Sequence, residues 1–181
     1  MNAMADASCS PVSLAQLLAS RETRAAQQQH WLTCWGQTLI STTLVWPGDV
    51  KDTPVSRAVM GVANEALSGL ILANGWEIIR HDARQLVTGP ESFWSVNAPA
   101  LLVKKATVLL EERHPLGRLW DIDVFCPDSG LLSRNAVGEN KRRCFICDEP
   151  AHVCSRMRRH SLLSLQTVME ARINDYFCHQ E

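Results

Sequence analysis

The chain has no charge of one sign to offer: eighteen lysines and arginines stand against nineteen aspartates and glutamates, a formal net charge of −1 over 181 residues. That balance excludes a global field that would select nucleic acid or an anionic membrane surface. No apolar run approaches the roughly 18 residues of a membrane span, and Met1 to Pro11 lacks the basic and apolar regions of a secretory signal. The expectation is a cytoplasmic protein with neither membrane nor nucleic acid among its partners. Internal repeats and low-complexity segments are absent too. Seven cysteines without an export signal, an odd number, argue against a disulfide framework and for reduced thiols or metal ligands.

What is there is globular. A hydrophobic fraction of 46% and a charged fraction of 20% fit one domain large enough to bury a core. Residues 1–11 are expected to form a flexible N-terminus and residues 12–181 the domain. Ser13 is placed to cap a helix with Leu14, Leu17 and Leu18 inward and the polar run Arg21 to Gln29 exposed. Thr38 to Val45 reads as a strand stopped by Pro47-Gly48. Val55 to Asn74 reads as a helix closed by Gly75. Trp76 to His81 reads as a second strand, and Gly89-Pro90 as a loop. From Pro99, the spacing of Leu102, Ala106, Leu109 and Arg113 predicts a helix, although Thr107 and Val108 favour a strand. Leu162 to Phe177 has the spacing of a core-packed helix. Helices and strands alternate throughout, so the expected class is α+β, an α/β sandwich on a mixed sheet.

The most informative stretch runs from His114 to Val124. A turn through His114-Pro115-Leu116-Gly117 leads into a strand on which Leu119, Asp121, Asp123 and Phe125 share one face and Trp120, Ile122 and Val124 the other. Two carboxylates this close repel unless a cation lies between them, and Mg²⁺ prefers such oxygen ligands. The competing reading is a solvated turn. Gly117 and Arg118 just upstream favour the metal reading, offering close backbone approach and an anion ligand. Pro127-Asp128-Ser129-Gly130 turns the chain into a partner strand near Leu131 to Ser133.

His114 to Val124 resembles the signature of the citrate lyase holo-acyl-carrier-protein synthase family, also called apo-citrate lyase phosphoribosyl-dephospho-CoA transferase. Pro47-Gly48-Asp49-Val50-Lys51, Gly89-Pro90-Glu91-Ser92-Phe93-Trp94 and Arg143-Cys144-Phe145-Ile146-Cys147 agree with it in order, as do Ala151, Cys154, Arg156 and His160. The resemblance implies transfer of 2'-(5''-triphosphoribosyl)-3'-dephospho-CoA to a serine of the acyl carrier (gamma) subunit of citrate lyase, with pyrophosphate released. Two alternatives stand beside it: the equivalent transferase for the malonate decarboxylase carrier, and a non-enzymatic zinc-binding interaction module. A glycine ahead of an Asp-x-Asp strand also resembles the nucleotidyltransferase fold of the polymerase-beta type, with Arg118 where that superfamily usually has serine.

On that reading Asp121 and Asp123 hold Mg²⁺ and Arg118 assists catalysis. Glu111 or Glu112 is a candidate third carboxylate. Gly117, His114, Lys51, Arg134 and Arg143 are candidate substrate ligands, with Arg142 beside them, because a polyphosphate substrate requires cations. Lys141 to Arg159 carries six basic residues and two acids, suited to an acidic carrier or to phosphates, or simply a solvated face. Within it, Cys144-x-x-Cys147, Cys154 and His160 are candidate ligands of a structural zinc, with His152 competing for the fourth place and buried thiols or a redox pair as alternatives. Cys9, Cys34, Cys126 and Cys178 show no ligand spacing.

Overall fold

A computed structural model describes residues 10–179; Cys9 and most of the expected flexible N-terminus lie outside the described residues. Five strands form one open sheet in the order β2-β3-β1-β4-β5, where β1 is Thr38–Leu44, β2 Glu77–Arg84, β3 Glu91–Asn97, β4 Trp120–Cys126 and β5 Gly130–Leu131. The helices are α1 (Leu14–Trp35), α2 (Pro54–Ala73), α3 (Ala100–Arg113), α4 (Ala151–Met157) and α5 (Leu162–Cys178). The class is α+β as expected. All four ladders are antiparallel, however, so the sheet is not mixed. The reason is topological: α2 and α3 each return the chain to a strand of the same direction one place removed, and an antiparallel strand fills the gap, giving two split βαβ units.

The main core lies on one face, where Ile40, Trp94, Trp120, Ile122 and Val124 meet the stripe Val59, Ala63, Leu67 and Ile71 of α2, Val103 of α3, and Met169 and Ile173 of α5. Among the described residues α2 is the one helix long and apolar enough, by length and composition, to cross a membrane, which departs from the sequence expectation. Its fully buried stripe is that of a core helix.

The opposite face is covered by α1 and is largely polar, apart from a small cluster in which Trp31 of α1 packs on Leu39 and Phe93. The helix begins with a capping box, in which Ser13 Oγ accepts from the Gln16 amide at 3.2 Å and Gln16 Oε1 accepts from the Ser13 amide at 2.9 Å. Contrary to expectation, Leu14 and Leu18 are exposed, whereas Arg24 and Gln28 turn toward the sheet. Gln28 donates to Ser41 at 2.9 Å and Arg24 pairs with buried Glu91 at 3.4 Å. The sheet beneath carries hydroxyls and carboxylates, which need polar partners once covered. Strand β3 was not legible as a strand: Glu91, Ser92 and Ser95 interrupt its apolar pattern, yet six of its seven residues are buried because both faces are covered.

Candidate active site

The acidic pair stands where the sequence pattern puts it. On β4, Asp121 and Asp123 face the α1 side, opposite Thr43 and Ser41 of β1, while Trp120, Ile122 and Val124 are buried on the other. Leu119 does not share the acidic face; it belongs to a 3-10 turn, Gly117–Leu119, and packs in the main core. Burial, reinforced by the neighbouring Asp121 carboxylate, pushes the Asp123 carboxyl up to about 6. A carboxylate held uphill in this way is one that a cation would relieve.

The strand is fixed by its outer edge. β5 is too short to cover Trp120 to Asp123, and side chains take the vacant hydrogen-bonding positions. Glu111 Oε1 accepts from the Ile122 amide at 2.9 Å, buried Lys104 donates to the Ile122 carbonyl at 3.2 Å, and Arg142 donates to the Trp120 carbonyl. Arg142 also reaches Asp121 at 3.4 Å and Glu111 at 3.5 Å. Arg134 pairs with Glu111 and, at 2.9 Å, with Glu112. Glu111 is thus tied to two arginines and a backbone amide, so its place is beside the acidic pair as a brace for β4. Glu112 is exposed.

Gly117 shows why the turn before β4 has its sequence. A Cβ there would lie 2.4 Å from the Glu111 carbonyl oxygen and 2.7 Å from its carbon. The close approach this glycine permits is to the last turn of α3. His114 is likewise internal to the turn. Its Nδ1 accepts from the Leu116 amide at 3.1 Å, its ring lies 4.4 Å from that of Trp120 and 5.4 Å from that of Tyr176, and burial pushes its pKa down. Both residues therefore set the geometry of the turn that enters β4.

Two depressions border the pair, and a third shares lining residues with them. One, of about 310 Å³, follows the β4 edge between Lys104, Asp121, Asp123, Arg134 and Arg142. A second, of about 270 Å³, lies under α1 and brings Arg21, Arg24, Lys51, the Gly89-Pro90 loop and Asp121 together. The third, of about 490 Å³, is an apolar cavity with Trp46, Phe145 and Leu165 in its walls and Arg118, Arg142, Arg143 and Arg158 among its lining residues. Asp121 belongs to the first two, Arg142 to the first and third, and Trp46 to the second and third. Of the cationic candidates, Lys51, Arg118, Arg134 and Arg143 each line one of these spaces. Arg118 also donates to the carbonyls of Arg143 and, at 3.1 Å, Cys144, and so ties the turn to the cysteine loop. Arg24 and Lys104 were not singled out from the sequence; their charge alone gave no signal that they turn inward.

The cysteine segment folds into a cluster. The Cys144 amide donates to the Glu149 carbonyl and the Ala151 amide to the Arg142 carbonyl, each at 2.8 Å, closing a loop that hands the chain to α4. Ligand atoms of Cys144, Cys147, Cys154 and His160 all lie within 4.8 Å of one another. Cys147 Sγ is 3.4 Å from Cys154 Sγ and 3.3 Å from His160 Nε2. His152 is exposed and outside the cluster. Burial and the neighbouring thiols push Cys154 up to about 12. Among the remaining described cysteines, Cys34, Cys126 and Cys178 are free.

Residues 12–176 match the family described as apo-citrate lyase phosphoribosyl-dephospho-CoA transferase. The chain belongs to that family. A relative bearing that name from Escherichia coli O7:K1 (strain IAI39 / ExPEC) is 43% identical over 164 residues, covering 91% of this chain and 90% of the relative. A relative of the same name from Shigella boydii serotype 18 (strain CDC 3083-94 / BS512) is also 43% identical over 164 residues. The matched residues include the acidic pair, the α1 cleft and the cysteine cluster alike.

Proposed function

We propose that this chain transfers the triphosphoribosyl-dephospho-CoA precursor to a serine hydroxyl of the citrate lyase acyl carrier subunit, and that it does so at Asp121 and Asp123. The observation that carries this is the placement of the acidic pair where arginine-lined spaces meet, in a chain of this transferase family. In the reaction the serine oxygen bonds to the phosphorus nearest the ribose, the bond from that phosphorus to the β-bridging oxygen breaks, the serine proton is lost and pyrophosphate leaves. The relatives are named for citrate lyase, which favours that carrier over the malonate decarboxylase one. The reading places the reaction in the cytoplasm.

The donor set fits Mg²⁺: two carboxylates on one strand face, one of them with a pKa raised by burial and by its neighbour's charge. When bound, Mg²⁺ would neutralise charge on the reacting phosphates and favour departure of pyrophosphate. The protein's own contribution is positional. Arg142 anchors the Asp121 carboxylate to the strand edge, Lys104 and Glu111 hold the Ile122 peptide between the two aspartates, Lys51 and Arg134 present cations to the triphosphate in the two spaces at Asp121, and Arg118 presents one to the rest of the same substrate in the adjoining cavity. Lys141, Arg143 and Arg156 form an exposed positive surface for an acidic carrier.

The experiment is direct. Purified protein, apo-carrier, precursor and Mg²⁺ should yield a carrier heavier by the phosphoribosyl-dephospho-CoA group, with one pyrophosphate released per carrier. An unchanged carrier mass would remove the proposal.

The cysteine cluster fits structural zinc, since tetrahedral coordination with Zn–S bonds of about 2.3 Å puts sulfurs roughly 3.8 Å apart, close to the spacing observed. Zinc there would tie the Arg142-Arg143 loop to α4 and to the start of α5. Cys147→Ser is expected to lower yield and melting temperature while leaving the rate per folded molecule within a few-fold, because thiolates do not favour the hard cations of phosphoryl chemistry. Elemental analysis should find about one zinc per chain. Folded, active protein with clearly substoichiometric zinc would leave only buried thiols.

A further inference from the structure

We propose that the apolar cavity beneath the cysteine loop binds the adenosine diphosphate part of the precursor, a nucleoside diphosphate seated apart from the reacting triphosphate. The inference rests on the transferase reading above and assigns the second anionic end of the same substrate. That substrate carries a triphosphate on one ribose and, on the adjoining adenosine, a diphosphate leading to pantetheine. The two spaces lined by Asp121 are small and polar. The cavity is larger, about 490 Å³, and its walls include Trp46, Phe145 and Leu165.

An adenine ring is flat and polarisable, and gains from aromatic and aliphatic walls; its phosphates gain from guanidinium groups. The cavity supplies both. Arg118 and Arg158 line it, and neither pairs with a carboxylate among the described residues. Arg158 has a further peculiarity. It closes α4 at φ 47 and is the only described non-glycine residue with a left-handed backbone. That conformation is unfavourable for a side-chain-bearing residue relative to glycine. The cost is accounted for if the guanidinium serves a ligand. The cavity is also continuous with the chemistry, since Trp46 and Arg142 border both it and the spaces at Asp121.

The test is calorimetric, with 3'-dephospho-CoA and, separately, inorganic tripolyphosphate as probes in the presence of Mg²⁺. Arg158→Gly should weaken dephospho-CoA binding at least tenfold, leave tripolyphosphate binding within twofold, and melt at or above the parent temperature because glycine relieves the backbone. Phe145→Ala, which lines the cavity and neither space at Asp121, should show the same selective loss, and ADP should displace dephospho-CoA where pantetheine does not. Parent-like dephospho-CoA affinity in both variants, or equal losses for the two probes, would overturn the assignment. Displacement by pantetheine but not ADP would give the cavity to the pantetheine arm instead. Failure of the transferase reading would appear separately, as an unmodified carrier with the parent protein.

Discussion

Asp123→Asn is expected to slow transfer by on the order of 10³-fold or more, equivalent to about 4 kcal/mol of barrier, while making the metal-free protein more stable at pH 7.5. The two effects share one cause. The Asp123 carboxyl is raised from 3.8 to about 6 by burial and by Asp121, so the native state holds a proton that the unfolded chain has released between those values. Stability from this group is therefore present at low pH and lost as pH rises through about 6. Above that, the charged form strains the fold, and the amide removes the strain. The gain should be on the order of 1–3 kcal/mol at pH 7.5 and should vanish near pH 4, where the parent is itself protonated. Transfer by the parent should fall on the acid side of about 6, and higher Mg²⁺ should move that midpoint down by competing with the proton. Near-normal turnover by the variant, or a stability gain that persists at pH 4, would break the link between charge and function.

Gly117→Ala is expected to be the most destabilising single methyl in the chain. The added Cβ would stand 2.4 Å from the Glu111 carbonyl oxygen and 2.8 Å from its Cα, and backbone cannot swing aside as a flexible side chain does. The penalty should be about 3 kcal/mol or more, at the upper end of overpacking costs, or a fall of roughly 10 °C in melting temperature. Because Glu111 fixes Ile122 between the two aspartates, transfer per folded molecule should fall as well. Gly61→Ala and Gly69→Ala on α2 are the controls: nothing lies within 4 Å of either Cβ, and each should stabilise by roughly 0.5–1 kcal/mol through helix propensity. Thermal melts showing the same sign at all three positions would contradict the packing explanation.

Local rules made much of the fold legible. The Ser13 cap, the β-branched run of β1, the stripe of α2 and the alternation on β4 each carry their own period or punctuation, and each appears in place. The acidic pair was legible for the same reason, since alternation alone puts Asp121 and Asp123 on one face. What was not legible depends on partners distant in sequence. β3 is covered on both faces and so shows no clean alternation. α1 buries Trp31 on Leu39 and Phe93 and sets Arg24 and Gln28 over the polar part of the sheet, which leaves Leu14 and Leu18 outside. Gly117 and His114 stand in a motif that invites a ligand, but their contacts are to Glu111, Leu116 and Trp120, which only the returning chain brings near. Arg24 and Lys104 look like ordinary surface cations until the sheet edge and α1 are assembled around the carboxylates.

The claim on which the rest depends is that the acidic pair, and not the cysteine cluster, holds the hard cation of the reaction. Titration with Mn²⁺ at pH 7.5, followed by the electron paramagnetic resonance signal of the free ion, tests it most directly. The parent and Cys147→Ser should deplete free Mn²⁺ alike, and Asp123→Asn should not. Equal depletion by Asp123→Asn and the parent, or loss of Mn²⁺ binding in Cys147→Ser alone, would contradict the account.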